Sequence, residues 1–287
     1  MTPSSRSVIT GAYFALAAFF CFALQDAAVK WLVAGVAVVQ VLFVRSAVIA
    51  AALTIRFPAL WRDLVISPYR GALLLRGLLL LGAWLCYYTA SRQLQLAEMT
   101  TIYYASPILV TVFSILFLGE RVPFSRWLVA GCGFAGVVVA CLPHDTSHPQ
   151  AIALAFAAAV LWAVSITLMR ALATRVPSTL QMLAQNAILL AACALALPWA
   201  WTPLSPSQLL LMIAVGIIGG TGQYFIFEAA RRAPASVTAP MEYTSLIWAF
   251  ALGLLIWGDV PPLTVFIGGV VIIASGALLI MTERRRI

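Results

Sequence analysis

Long uncharged runs of Ala, Val, Leu, Ile and Phe make up most of this chain, broken at intervals by Pro, Gly, Arg or short polar clusters. The runs and their breakers predict helices over about 8–32, 36–56, 70–91, 98–118, 124–142, 150–170, 178–199, 207–230, 236–257 and 262–282. Each approaches the ~20 apolar residues needed to cross a bilayer. The breaks at 56–69, 143–149 and 201–207 carry Pro, Ser or charge, as connections do. Trp31, Trp61, Trp127, Trp199, Trp201 and Trp257 fall near the ends of runs, where indole rings anchor helices at the membrane surface. Gly131, Gly133 and Gly136, with Gly216 and Gly220, are spaced for close helix contacts.

The pattern is also duplicated. The stretch from Tyr103 to Pro123, YYASPILVTVFSILFLGERVP, returns from Glu242 to Pro262 as EYTSLIWAFALGLLIWGDVPP. At one constant offset Tyr104 falls on Tyr243, Ser106 on Ser245, Gly119 on Gly258, Glu120 on Asp259 and Pro123 on Pro262. Upstream, Ala90 and Arg92 fall on Ala229 and Arg231 without a gap. With one residue more of offset, Phe22-Ala23 falls on Trp162-Ala163 and Lys30 on Arg170. A half-length unit used twice accounts for these matches, with 1–145 as the first copy and 146–287 as the second.

Composition fixes the class. The 287 residues are 63% hydrophobic and 9% charged, and mean hydropathy is +1.04. A soluble domain of this size needs more charge to cover its surface. The chain is expected to be an all-α polytopic membrane protein with ten transmembrane helices, touching lipid and leaving no room for a soluble domain.

The net charge of +8 is explained by its placement and does not imply nucleic acid. With the N-terminus inside, the inner segments hold Arg6, the group Arg56, Arg62, Arg70 and Arg76, and the pairs Arg121/Arg126, Arg170/Arg175 and Arg231/Arg232, closing with Arg284–Arg286. The outer segments hold Lys30 and Arg92 alone, and Arg45 lies within a span. This bias places both termini in the cytoplasm. Five spans per copy is an odd number, so the second copy enters from the opposite side and the two are inverted repeats.

Several chemistries are excluded. Lys30 is the one lysine and follows no glycine, so there is no P-loop, and no ATPase subunit is implied. HExxH and GxSxG are missing, and the two histidines, His144 and His148, share one Pro-bounded loop. No enzyme activity, cofactor or metal site is expected. Cys21, Cys86, Cys132, Cys141 and Cys193 lie in apolar runs without CxxC spacing and read as packing residues.

Two five-helix halves, each with a proline-bearing span running into Gly119-Glu120 or Gly258-Asp259 and then a glycine-spaced span, resemble the EamA-type drug/metabolite transporters. The motifs are Ser106-Pro107, Gly119-Glu120 and Gly131 to Gly136 in one copy, and Pro240, Gly258-Asp259 and Gly268 to Gly276 in the other. The second copy departs by having Leu246 where Pro107 sits. Length and aromatic content look most like the YddG-type bacterial amino-acid exporters. The resemblance implies a secondary transporter or facilitator in the bacterial inner membrane that exports small metabolites, amino acids foremost, by alternating access. Another metabolite or drug, such as a nucleoside-like cofactor or a cationic xenobiotic, is the alternative substrate. A non-transporting receptor or scaffold is the alternative of another class. The reading is compatible with a monomer and leaves the coupling ion open.

Polar groups within spans are the candidates for the path. Asp26 and Lys30, four apart on the first helix, are expected to neutralise one another. Gln25, with Ser165 as its mate in the second copy, is either a cavity residue or an interhelical hydrogen-bonding one. Arg45 needs an acceptor, for which Glu242 and Glu228 are candidates, or else it meets a substrate carboxylate or gates the path. Glu242 stands where the first copy has Tyr103, and as a carboxylate in a span it either takes a proton or binds a substrate ammonium, or else is solvated near the interface. Trp84 and Tyr88 share a helix face, as do their mates Gln223 and Phe227. With Tyr103, Tyr104, Tyr243 and Trp162 they would wall a cavity for a medium-sized amphipathic solute, or else fill helix contacts. Pro107 and Pro240 are expected to kink their spans and serve as hinges.

Overall fold

The computed structural model describes residues 5–118, 131–132, 135–136, 138–139, 148–172, 175–232, 241–242 and 244–284. Its helices, in chain order, are α1 (Ser5–Val33), α2 (Val38–Arg56), α3 (Leu60–Ile66), α4 (Arg70–Ala90), α5 (Leu96–Tyr103), α6 (Ser106–Leu118), α7 (Pro149–Leu172), α8 (Ser178–Ala200), α9 (Pro206–Arg232), α10 (Thr244–Trp257) and α11 (Leu263–Arg284). No strand occurs among the described residues. Among the described residues, six stretches are long and apolar enough to cross a membrane: Ile9–Val33, Val38–Arg56, Arg70–Ala90, Pro149–Met169, Ser178–Ala200 and Pro206–Ala229. α10 is apolar and shorter. Leu195, Trp199, Leu254 and Leu255 stand exposed on the outside of the bundle, an arrangement suited to lipid.

Punctuation residues set the helix boundaries. Pro149 and Pro206 open α7 and α9, where a missing N–H costs nothing. Pro58 follows the end of α2, and Pro177 precedes α8. α10 stops at Gly258, whose φ of +68° favours glycine. There the Gly258 N–H donates to Leu254 O at 3.0 Å and the Asp259 N–H to Gly253 O at 3.2 Å. This turn swings the Asp259 carboxylate back toward α1.

Helices of the first copy pack chiefly on helices of the second. The pairings come in matched sets: α1 lies on α9 as α7 lies on α4, α2 on α9 as α8 on α4, and α1 on α10 as α7 on α6. The central pair, α2 and α8, is its own counterpart. Two glycine notches repeat the match in side-chain detail. A Cβ on Gly77 of α4 would lie 2.4 Å from Ile188 Cδ1 of α8, and one on Gly216 of α9 would lie 2.7 Å from Val48 Cβ of α2. Gly77 and Gly216 are mates under the repeat, and so are Val48 and Ile188. Gly220 likewise receives Ile49, as its spacing implies. Gly131 has nothing near a built Cβ, and Gly133 lies outside the described residues.

The helix expected over 98–118 is broken. α5 ends at Tyr103, and its chain tightens through Tyr104 and Ala105, with the Tyr104 N–H on Thr100 O at 3.1 Å and the Ala105 N–H on Ile102 O at 3.1 Å. Pro107 then stands second in α6. The interruption therefore precedes the proline, which occupies a first helical turn and removes no bond from a helix interior. α3 is a short helix inside a stretch read as loop. Of the expected span over 124–142 only residues 131–132, 135–136 and 138–139 are described, all of them helical, and the hinge residue Pro240 lies outside the described residues.

Candidate functional site

α1 and α2 bring Gln25 and Arg45 side by side at the interface between the copies, and both are buried. Arg45 Nε donates to Gln25 Oε1 at 3.0 Å. Gln25 Nε2 in turn donates to the Tyr88 hydroxyl at 2.8 Å. The facing wall is Gly219 of α9, where a Cβ would sit 1.9 Å from Gln25 Oε1. Glycine at this position is what lets the amide lie against the helix backbone.

The Arg45 guanidinium lies 4.7 Å from the centroid of the Trp84 ring, a cation–π contact. Trp84 stacks on Tyr88 at 5.1 Å and meets Trp162 edge-on at 6.0 Å. Trp162 reaches Tyr103 at 6.1 Å, and Tyr103 reaches Tyr87 at 5.1 Å. Tyr87 donates its hydroxyl to Asp26 Oδ2 at 3.2 Å. One connected group thus joins α1, α2, α4 and α5 of the first copy to α7 of the second.

Polar atoms of two members, Arg45 and Asp26, remain unsatisfied, as do others elsewhere in the bundle. Among the described residues, Arg45 Nη1 and Nη2, Asp26 Oδ1, Ser46 Oγ, Ser165 Oγ and Asn186 Oδ1 are buried without a hydrogen-bond partner. No carboxylate of the described residues pairs with Arg45. An unpaired buried charge is costly, so its retention needs a cause.

The second copy carries the counterpart. Gln185 Nε2 donates to Gln223 Oε1 at 3.0 Å, and Asn186 Nδ2 to the same oxygen at 3.3 Å. Under the repeat Gln185 and Asn186 answer Arg45 and Ser46, while Gln223 answers Trp84. An amide pair replaces the guanidinium–indole pair. Gln185 and Asn186 belong to no motif and do not stand out in the sequence, although the offset that sets Lys30 on Arg170 also sets Arg45-Ser46 on them.

Several expected residues join this group: Gln25, Arg45, Trp84, Tyr88, Tyr103 and Trp162, with Gln223 in its counterpart. Ser165 is fully buried on α7. Tyr104 is buried instead between the copies, its hydroxyl on the Glu242 carbonyl and the Ser245 hydroxyl. Phe227 is half-buried on α9 outside the ring cluster. Glu242 sits just ahead of α10, and Tyr243 lies outside the described residues.

Two expected ion pairs form differently. Lys30 does not pair with Asp26: its Nζ lies 3.8 Å from Asp259 Oδ2, donates to Leu94 O at 2.6 Å and stands 5.3 Å from the Trp257 ring centroid. Partners on neighbouring helices outcompete the partner one turn away. Glu228 pairs with Arg232 on its own helix, and Arg45 takes Gln25 in its place. Near Lys30, Gln40 is clamped to Thr202 of the other copy, accepting from its N–H at 3.0 Å and its hydroxyl at 2.6 Å and donating to its carbonyl at 2.8 Å.

Comparison with known proteins agrees with this architecture. The Pseudopaline exporter CntI of Pseudomonas aeruginosa is 27% identical over 96% of this chain and 97% of its own length. The S-adenosylmethionine uptake transporter of Rickettsia felis is 26% identical over 74% of this chain and 72% of its own. The Riboflavin transporter of Vibrio cholerae is 29% identical over 63% of this chain and 61% of its own. A solved crystal structure shares the fold with a TM-score of 0.69, at 22% identity and 98% coverage of both chains. The sequence profile of one family matches residues 9–142 and again 149–282, once per copy. The chain therefore belongs to the EamA-like transporter family, and is a multi-pass, helical membrane protein built from two repeats of that fold.

Proposed function

We propose that this chain is a secondary transporter or facilitator that exports small metabolites, amino acids foremost, across the bacterial inner membrane by alternating access. The reading takes the repeats as 1–145 and 146–287, inverted with respect to each other, with ten spans and both termini cytoplasmic. The observation that carries it is the buried group around Gln25, Arg45, Trp84, Tyr88 and Trp162, which lies between the copies and holds unsatisfied polar atoms. A solute bound between two bundles is reached from either side when one bundle rocks on the other. The Lys30–Asp259 and Gln40–Thr202 ties join the copies at one end of the bundle, and must open for access there.

Transport of a larger cofactor-like metabolite is the second reading, favoured by relatives named for S-adenosylmethionine uptake and for riboflavin transport. Counterflow in proteoliposomes separates the two, using labelled amino acids, S-adenosylmethionine and riboflavin. Exchange of amino acids supports the first reading, exchange of riboflavin alone supports the second, and no exchange with any of them overturns transport of these classes.

A further inference from the structure

The group between the repeats holds one basic and one acidic side chain, Arg45 and Asp26, that do not pair with each other. Arg45 is 1% exposed, and both terminal nitrogens of its guanidinium lack a partner among the described residues. Asp26, next to Gln25 on α1, commits one oxygen to Tyr87 and leaves the other buried and unpartnered. The guanidinium and the carboxyl form no salt bridge. Gln25 is held by Arg45 on one side and by the Tyr88 hydroxyl on the other.

We propose that Arg45 and Asp26 together form the site for a zwitterionic amino-acid head group, the guanidinium taking the carboxylate and the Asp26 carboxylate taking the ammonium. This rests on the transporter reading and names the chemistry of the same site. A guanidinium with two free nitrogens fits a carboxylate through two parallel hydrogen bonds. A lone anion would leave Asp26 unanswered, and a lone cation would leave Arg45 so. A zwitterion answers both and carries no net charge into the bilayer, where unbalanced charge is expensive. The Trp84, Tyr88 and Trp162 rings lie beside Arg45 and make the surroundings of the head group apolar. The second copy cannot duplicate the site, because Gln185 stands where Arg45 does and already serves Gln223.

The test is equilibrium binding to the full-length protein in nanodiscs, read as ligand-induced thermal stabilisation. The common L-amino acids and S-adenosylmethionine are screened first. The best ligand is then compared with its carboxamide, which lacks the carboxylate charge, and with its deaminated acid, which lacks the ammonium. Each loss is expected to weaken binding about tenfold to hundredfold. Arg45→Gln should erase the preference for acid over amide, and Asp26→Asn the preference for the amine. Amide or deaminated acid binding as well as the parent overturns the proposal, as does failure of every head-group-bearing compound to bind. Should a variant not fold, the comparison of analogues on the wild-type protein decides alone. Binding without counterflow would keep the site and refute transport; counterflow of riboflavin without amino-acid binding would do the reverse.

Discussion

Arg45 and Gln25 are joined at 3.0 Å across two helices, in a recess that exists because residue 219 of a third helix has no side chain. The amide accepts from the guanidinium and donates to Tyr88, so both of its ends are engaged. A methyl group at 219 would gain up to ~1 kcal/mol of helix propensity, but it would displace Gln25 and orphan buried partners at ~1–3 kcal/mol each. Gly219→Ala is therefore expected to lower stability by about 1–3 kcal/mol and to weaken ligand binding, measured by unfolding in mixed micelles and by flux. Shortening Gln25 to Ser in the same chain should recover part of the stability and none of the binding.

Trp84 supplies the face on which Arg45 rests. Trp84→Ala removes that contact and a large half-buried ring, and should cost about 3–5 kcal/mol. Trp84→Phe keeps a ring face and should cost less than half as much, with the order of thermal midpoints as the check.

How much of this was legible in the sequence varied with the kind of interaction. The apolar runs gave α2, α4 and α8 to within a few residues, because membrane-crossing length and Pro or Arg punctuation are local signals. The duplication was readable from Tyr104/Tyr243 and Gly119/Gly258, and the family profile matches each copy. Trp84 and Tyr88 were paired by helical spacing alone. Partner choice was less readable. Spacing favoured Lys30 with Asp26, whereas the turn at Gly258 delivers Asp259 from far along the chain. The break at Tyr104 was placed at Pro107 because proline is the visible breaker, while the actual turn comes just before it.

The matched notches make a stricter test of the repeat. Gly77→Ala and Gly216→Ala should each destabilise, the latter more, because its new methyl meets the branched stem of Val48 and lies 3.2 Å from the Arg45 carbonyl. Ile188→Ala should relieve the first and Val48→Ala the second. Coupling energies of about 0.5–3 kcal/mol are expected within each pair, and none between Gly77 and Val48. Double-mutant cycles measure both.

The ties at Lys30 and Gln40 differ in kind. Asp259 is partly exposed and 3.8 Å from Lys30, so Asp259→Asn should change stability by under ~1 kcal/mol. Gln40→Ala removes three part-buried hydrogen bonds to Thr202 and should cost about 1–3 kcal/mol. Chemical unfolding of the single variants ranks them.

On the proposed reading of inverted repeats that alternate access, the two notches also bear on which way the molecule leans. Were the copies identical and inverted, facing inward and facing outward would be degenerate in energy, since turning the molecule over would exchange them. Gly77 with Ile188 and Gly216 with Val48 keep that balance close at the joints. Arg45 over Trp84 against Gln185 on Gln223 breaks it at the centre. The resting preference is then written in the few places where one half has drifted from the other, and restoring likeness there, rather than loosening the joints, is the way to reset it.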